Sequence, residues 1–272
     1  MKKSEPPPYR ALLGEYIGTF LLILFGLSAV ASTVTMDAHQ GLLQISLIWG
    51  LGLTTAILAT QNLSGAHLNP AISLALVLFR NFPKQRFLPY VGAQFVGAMT
   101  AAMAVYLLFG QAISSFETTN NLTRGESGSE ASAMIFGEFY PSPGGKPLSV
   151  HPMGKLSSGK AFLAETLGTA ILAFAVFSFT HPKNRESMGK LTPYAIGIAL
   201  TALITVFGPL TMACFNPARD LGPRLLSSLV GWGSYPFTVN GLGWLTVYII
   251  APCLGAILGA WMAEAMHRET KA

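Results

Sequence analysis

Charge is scarce in this sequence. Only 11% of its 272 residues are Asp, Glu, Lys or Arg, against about 25% in an ordinary soluble domain. A water-facing globular chain of this length is therefore excluded at the outset. Cysteine is nearly absent: Cys214 and Cys253 are the only two. Both stand in apolar runs and read as small buried hydrophobes, which leaves no disulfide framework and no cysteine-held metal. No metal-ligand set, nucleophile–base pair or phosphate-binding glycine loop is present, so neither a metal, a cofactor nor an enzyme is expected. The net charge of +5 comes from scattered residues rather than a basic face, so nucleic acid is not an expected partner. No cleavable leader is expected, because Lys2-Lys3-Ser4-Glu5 runs into Pro6-Pro7-Pro8 instead of an apolar core.

Apolar residues fill the space that charge leaves. They make up 51% of the chain, with a mean hydropathy of +0.49, and gather in runs near the ~20 residues a membrane helix needs. Residues 1–10 read as a polar, proline-rich tail. Residues 11–33, 42–61, 87–109, 160–180, 191–212 and 244–266 read as six spans. Residues 110–159 are rich in Gly, Ser, Pro and charge, too long for a plain connection and expected to fold over one face. Residues 267–272 form a second tail. The expected fold class is an all-α membrane protein with one domain over 11–266.

Two short stretches break this plan. Ser64-Gly65-Ala66-His67-Leu68-Asn69-Pro70-Ala71 and Cys214-Phe215-Asn216-Pro217-Ala218-Arg219-Asp220 each hold an Asn-Pro-Ala triplet. Asn is a strong helix N-cap, and Pro suits the first helical position, where its missing N–H costs nothing. Each triplet therefore predicts a helix start, and the apolar runs that follow, 71–79 and 218–230, are short. About ten residues rise roughly 15 Å, half of a ~30 Å hydrocarbon core. Such re-entrant half-helices are tolerated only where packed in protein or lining a wet cavity.

The chain also repeats itself. Glu15-Tyr16-Ile17-Gly18-Thr19 returns as Glu165-Thr166-Leu167-Gly168-Thr169, and Asn69-Pro70-Ala71 returns as Asn216-Pro217-Ala218. Each half, about 11–109 and 160–266, holds three spans and one half-helix. An odd number of spans inverts the second half in the membrane, a plan that puts the functional site near the midplane. Lys2, Lys3, Arg10, Arg80, Lys84, Arg86, Lys183, Arg185, Lys190, Arg268 and Lys271 then fall on one side, the expected cytoplasmic side, with both termini. Facing half-helix N-termini present positive dipole ends, and Asn69 and Asn216 each offer a side-chain NH₂. That geometry suits a neutral hydroxyl-bearing solute and opposes cations and protons. A passive channel is favoured. An ion-coupled secondary transporter shares inverted repeats and broken helices and is the rival, but the only charges at membrane depth, Glu15, Glu165, Arg219 and Asp220, do not form a switching pair.

At these residues the sequence resembles the major intrinsic protein family, the aquaporins and aquaglyceroporins, over nearly all its length from Glu15 to Ala263. It is most similar to the glycerol-conducting branch in Ile48-Trp49-Gly50-Leu51-Gly52, in Ser64 to Pro70, in Gly208-Pro209-Leu210-Thr211 and in Asn216 to Pro223. Asp220 after the arginine, Pro252 in the last span and the long 110–159 loop are marks of that branch. The water-selective branch is the alternative within the family. The resemblance implies a homotetramer with one pore per subunit, in contact with membrane lipids, passing glycerol, other small neutral solutes and some water. In a bacterium it would sit in the cytoplasmic membrane.

The resemblance also implies roles. Arg219 is the arginine of the narrow filter; a plain Asp220 salt bridge is the alternative. Trp49 is the filter tryptophan. The symmetric placement of Glu15 and Glu165 argues that each accepts hydrogen bonds from the loop before a half-helix, the alternative being a proton relay. His67 ties down the first loop, and Asp220 holds backbone or loop. The bulky Phe of glycerol facilitators, three residues before the second Asn, is replaced by Ala213, and the fifth-span filter position aligns with Ile204. The set Trp49, Ile204, Ala213 and Arg219 resembles the filter of plant nodulin-like intrinsic proteins. Phe215 turned inward to replace the missing ring is the alternative.

Overall fold

The computed structural model describes residues 8–152 and 154–267. Among them, six helices are long and apolar enough to cross a membrane: α1 (Pro8–Met36), α2 (Leu42–Ser64), α4 (Lys84–Thr119), α5 (Ser158–Phe179), α6 (Thr192–Thr211) and α8 (Gly243–His267). Two half-length helices stand between them, α3 (Pro70–Phe79) and α7 (Pro217–Ser227), besides single helical turns in the loops. No strand occurs among the described residues.

Packing follows the same plan twice. Helix α1 lies against α2 and α4, and α5 lies against α6 and α8; α2 and α6 face one another. Each short helix crosses to the other half, α3 onto α8 and α7 onto α4. Small residues permit these approaches, as close packing of membrane helices requires. At the α2–α6 crossing Gly50 and Gly197 meet backbone to backbone: a Cβ on either would lie 2.5–2.6 Å from the other's carbonyl oxygen. Gly259 of α8 likewise rests on the Ala170 carbonyl of α5, where a Cβ would be 1.9 Å away.

Several boundaries differ from the sequence reading. Pro8 to Arg10 are helical, not tail, because Pro suits a first helical turn. Residues 1–7 and 268–272, with Lys2, Lys3, Arg268 and Lys271, lie outside the described residues; His267 is the last helical residue rather than tail. Helix α4 continues ten residues past the expected end at 109, up to Thr119. Buried Ile113 and Glu117 keep its last turns attached, since Glu117 accepts from Ser132 Oγ at 2.8 Å and from Arg124 Nε. The loop therefore spans 120–157 and does not merely lie over a face. Ser129 to Tyr140 are all buried, thrust inward between the helix ends. The second half-helix stops at Ser227 and gives way to a wide turn, Ser228–Trp232, where Gly231 holds φ of 122°.

The basic loops meet on the opposite face. Arg80 pairs with Glu264, and Lys183 Nζ donates to the His267 carbonyl.

Candidate pore and its constriction

The stretch before each short helix is an unusual piece of backbone. Ala66 and Leu68 before Asn69, and Ala213 and Phe215 before Asn216, all hold positive φ of 52–58°. Left-handed backbone costs an ordinary residue roughly 1–2 kcal/mol, so something must hold it. One buried carboxylate does so in each half. Glu15 accepts from the amides of His67 at 2.9 Å and Leu68 at 2.8 Å, and from Gln94 at 2.7 Å. Glu165 accepts from the amides of Cys214 at 3.0 Å and Phe215 at 2.8 Å, and from the Thr211 hydroxyl at 2.6 Å. With the amides taken on one side, the carbonyls of Ala66, His67, Ala213 and Cys214 have no protein partner among the described residues, and these residues line an internal cavity.

The two asparagines lock the halves together. Asn69 Oδ1 caps α3 at the Ala71 amide (2.8 Å), while its Nδ2 donates to the Phe215 carbonyl of the other half, also at 2.8 Å. Asn216 Oδ1 accepts from Ala218 at 3.1 Å, and its Nδ2 donates to the Leu68 carbonyl at 2.8 Å. Each NH₂ has two N–H bonds, so one stays available to the cavity that both residues line. Pro70 and Pro217 start the helices, and Ala71 and Ala218 are buried behind them.

The cavity is narrow and mostly apolar. It has a volume of about 80 Å³ and runs from His67 past the asparagines to Arg219. A wider vestibule of about 740 Å³ opens beyond it, and Trp49, Ile204, Met212 and Arg219 line both spaces. The Trp49 indole lies against α1 at Gly26, where a Cβ would overlap the ring at 2.2 Å. Arg219 Cζ sits 4.5 Å from the indole centroid, a cation–π contact. Ala213 is 4% exposed and lines the inner cavity only. The Phe215 ring is fully buried, packed on Gly168 and edge-on to Phe207. His67 bonds Ser73 Oγ through Nδ1 at 3.1 Å and packs edge-on against Phe82 and at a tilt against Tyr90.

The partner of Arg219 is not its neighbour. Asp220 is bound to Arg224 at 2.7 and 2.9 Å and accepts the Glu138 amide at 2.8 Å. Arg219 Nε instead pairs with the Glu138 carboxyl on the inward loop, and Nη1 reaches the Phe136 carbonyl at 3.4 Å. Burial pushes the Glu138 carboxyl up to about 8 despite the opposing pull of Arg219. Glu138, Gln94 and Arg224 have no counterpart in the sequence reading. The signal for Glu138 was a carboxylate amid Ala, Ile and Phe within an otherwise polar loop. No group of three or more His, Cys, Asp and Glu poised to hold a metal exists among the described residues.

The model of the family described as major intrinsic protein matches residues 2–263. The chain belongs to the major intrinsic protein family. As a member it is a multi-pass membrane channel rather than an enzyme. It is 41% identical to the glycerol uptake facilitator protein of Pseudomonas aeruginosa over 263 residues, covering 96% of this chain and 90% of that one. It is 38% identical to the propanediol uptake facilitator of Salmonella typhimurium over 247 residues, 90% and 89% of the two chains. The X-ray structure of the aquaglyceroporin from Plasmodium falciparum superposes with a TM-score of 0.79 at 26% identity, over 94% of this chain and 95% of that one. Within the family, the six spans and two half-helices described above form the shared frame.

Proposed function

We propose that this protein is a passive channel for glycerol and other small uncharged solutes, with modest water flux, closed to ions and protons. The observation that carries the proposal is the crossed asparagine pair at the facing N-termini of α3 and α7, set in a cavity with a ladder of unpaired carbonyls. A polyol donates its hydroxyl protons to those carbonyls and accepts from the spare N–H of each asparagine, while its carbon chain runs along Leu22, Ile57, Leu172 and Leu200. Desolvation is repaid only for a solute with both faces. A cation meets two positive helix ends and the Arg219 guanidinium, the kind of barrier established for aquaporin-type pores. Trp49, Ile204 and Arg219 form the filter in this reading, with Ala213 just inside it, and Asn69, Pro70, Ala71, Asn216, Pro217 and Ala218 form the central pair of motifs. Glu15, Glu165, His67 and Asp220 support the pore wall.

Uncoupled transport follows from the carboxylates. Glu15 and Glu165 are each held by fixed loop donors, which leaves no exchange of partners to drive a cycle. The domain is one unit over about 11–266, built of inverted halves; the termini and basic loops face the cytoplasm, and four copies assemble with one pore each. Stopped-flow light scattering on proteoliposomes tests the solute. A glycerol gradient should give shrinkage followed by fast reswelling, and a sucrose gradient shrinkage alone. Glycerol reswelling no faster than in empty liposomes would refute the proposal.

A further inference from the structure

Of the residues that line both the inner cavity and the outer vestibule, three were expected at the filter: Trp49, Ile204 and Arg219. The fourth is Met212, and Ala213 is not among them. Met212 ends α6 in the left-handed region, with φ of 63° and its amide bonded to the Gly208 carbonyl at 2.9 Å. Its side chain is half-buried, whereas Ala213 is closed off. The thioether is anchored from the inward loop, since Sδ accepts the Phe139 amide at 3.3 Å. Phe139 follows Glu138, the partner of Arg219, so one loop segment positions two sides of the aperture.

Building on the channel reading above, we propose that Met212 is the fourth wall of the constriction and sets the size limit on linear polyols. Trp49 is large and rigid, and Ile204 is β-branched and stiff. Methionine is long and polarisable, and with its sulfur held by the Phe139 amide it closes the remaining side. The aperture is then apolar on Trp49, Ile204 and Met212, with Arg219 as its single hydrogen-bonding side. Such a rim takes a narrow, unbranched polyol, its carbon chain along the three apolar walls and its hydroxyls toward Arg219. Bulkier polyols are stopped at the thioether.

Two glycine substitutions separate this wall from its neighbour. Met212 and Ala213 both hold positive φ, where glycine is at ease, so Met212→Gly and Ala213→Gly relax the backbone alike and differ in the side chain removed. The readout is the ribitol-to-glycerol permeability ratio in proteoliposomes. Met212→Gly should raise it about tenfold, the low end of what one methylene changes in an apolar pocket, while Ala213→Gly, which removes only a methyl from the cavity inside the aperture, should raise it far less. A wild-type ratio in Met212→Gly with glycerol flux intact would overturn the inference, as would an equal rise in Ala213→Gly. Met212→Phe reads the same wall in the other direction if the glycine variant fails to insert. It should lower the glycerol-to-water permeability ratio, and an unchanged ratio would overturn the inference. A wild-type protein that passes no glycerol would overturn the channel reading itself, and this inference with it.

Discussion

Replacing Glu165 by Gln removes the acceptor that holds the second pore-wall stretch. One oxygen of the carboxylate serves the Thr211 hydroxyl and the Cys214 amide, and the other serves the Phe215 amide at 2.8 Å. An amide keeps a single oxygen. In its better orientation that oxygen retains Thr211 and Cys214, and the new NH₂ confronts the Phe215 N–H, donor against donor. Losing one hydrogen bond to a charged acceptor costs about 1.5–3 kcal/mol. The loss falls where Phe215 holds φ of 52°, so the strained turn loses its anchor. A loss near 2 kcal/mol lowers the melting temperature by roughly 5 °C in a chain of this size. The assay is paired: melting of the detergent-solubilised protein, and glycerol reswelling after reconstitution, normalised to inserted protein. Both should fall. Glu15→Gln should behave alike, because it bonds His67 and Leu68 in the same manner. Wild-type melting and wild-type flux in both variants would refute the view that these carboxylates hold the pore wall.

Asn69→Asp and Asn216→Asp should each cut glycerol flux and admit cations, since a carboxylate replaces the N–H that faces the opposite carbonyl at 2.8 Å; conductance in planar bilayers checks this. Glu138 provides a pH signature. Its carboxyl rises from an ordinary 4.5 to about 8 in the fold, so the folded state binds more protons, and stability is greatest at low pH and lost as pH climbs toward that value. Melting temperature should therefore decline between about pH 5 and about pH 8, and Glu138→Gln should flatten the decline. Phe215→Ala empties a fully buried site between Gly168 and Phe207 and should cost about 3–5 kcal/mol of stability, leaving the polyol preference of the surviving channels unchanged; an altered preference would bring the ring back into the filter.

The frame of this molecule was legible because its signals are local. Asn-Pro marks a helix start, a ten-residue apolar run marks a half-helix, and the returning Glu-x-x-Gly-Thr marks the repeat. Helix ends were less legible: α4 outlasts its apolar run because Glu117 finds Ser132 and Arg124 in the loop, partners that no periodicity announces. Glu138 and Arg219 are far apart in the chain, and nothing in either neighbourhood names the other. The filter register was hardest. Between Met212 and Phe215 the backbone passes repeatedly through the left-handed region, so spacing along the chain no longer tells which side chain faces the lumen. Alignment by distance from Asn216 points to Ala213, which lines the inner cavity, and Met212 beside it lines both chambers.

The central claim is that solute moves through a fixed, uncoupled pore. The most direct test is the steady-state distribution of labelled glycerol across sealed proteoliposomes under an imposed proton gradient, then a sodium gradient, with no kinase present. Equal concentrations inside and outside under both gradients are the predicted result. Accumulation of glycerol against its own gradient under either one would contradict the account.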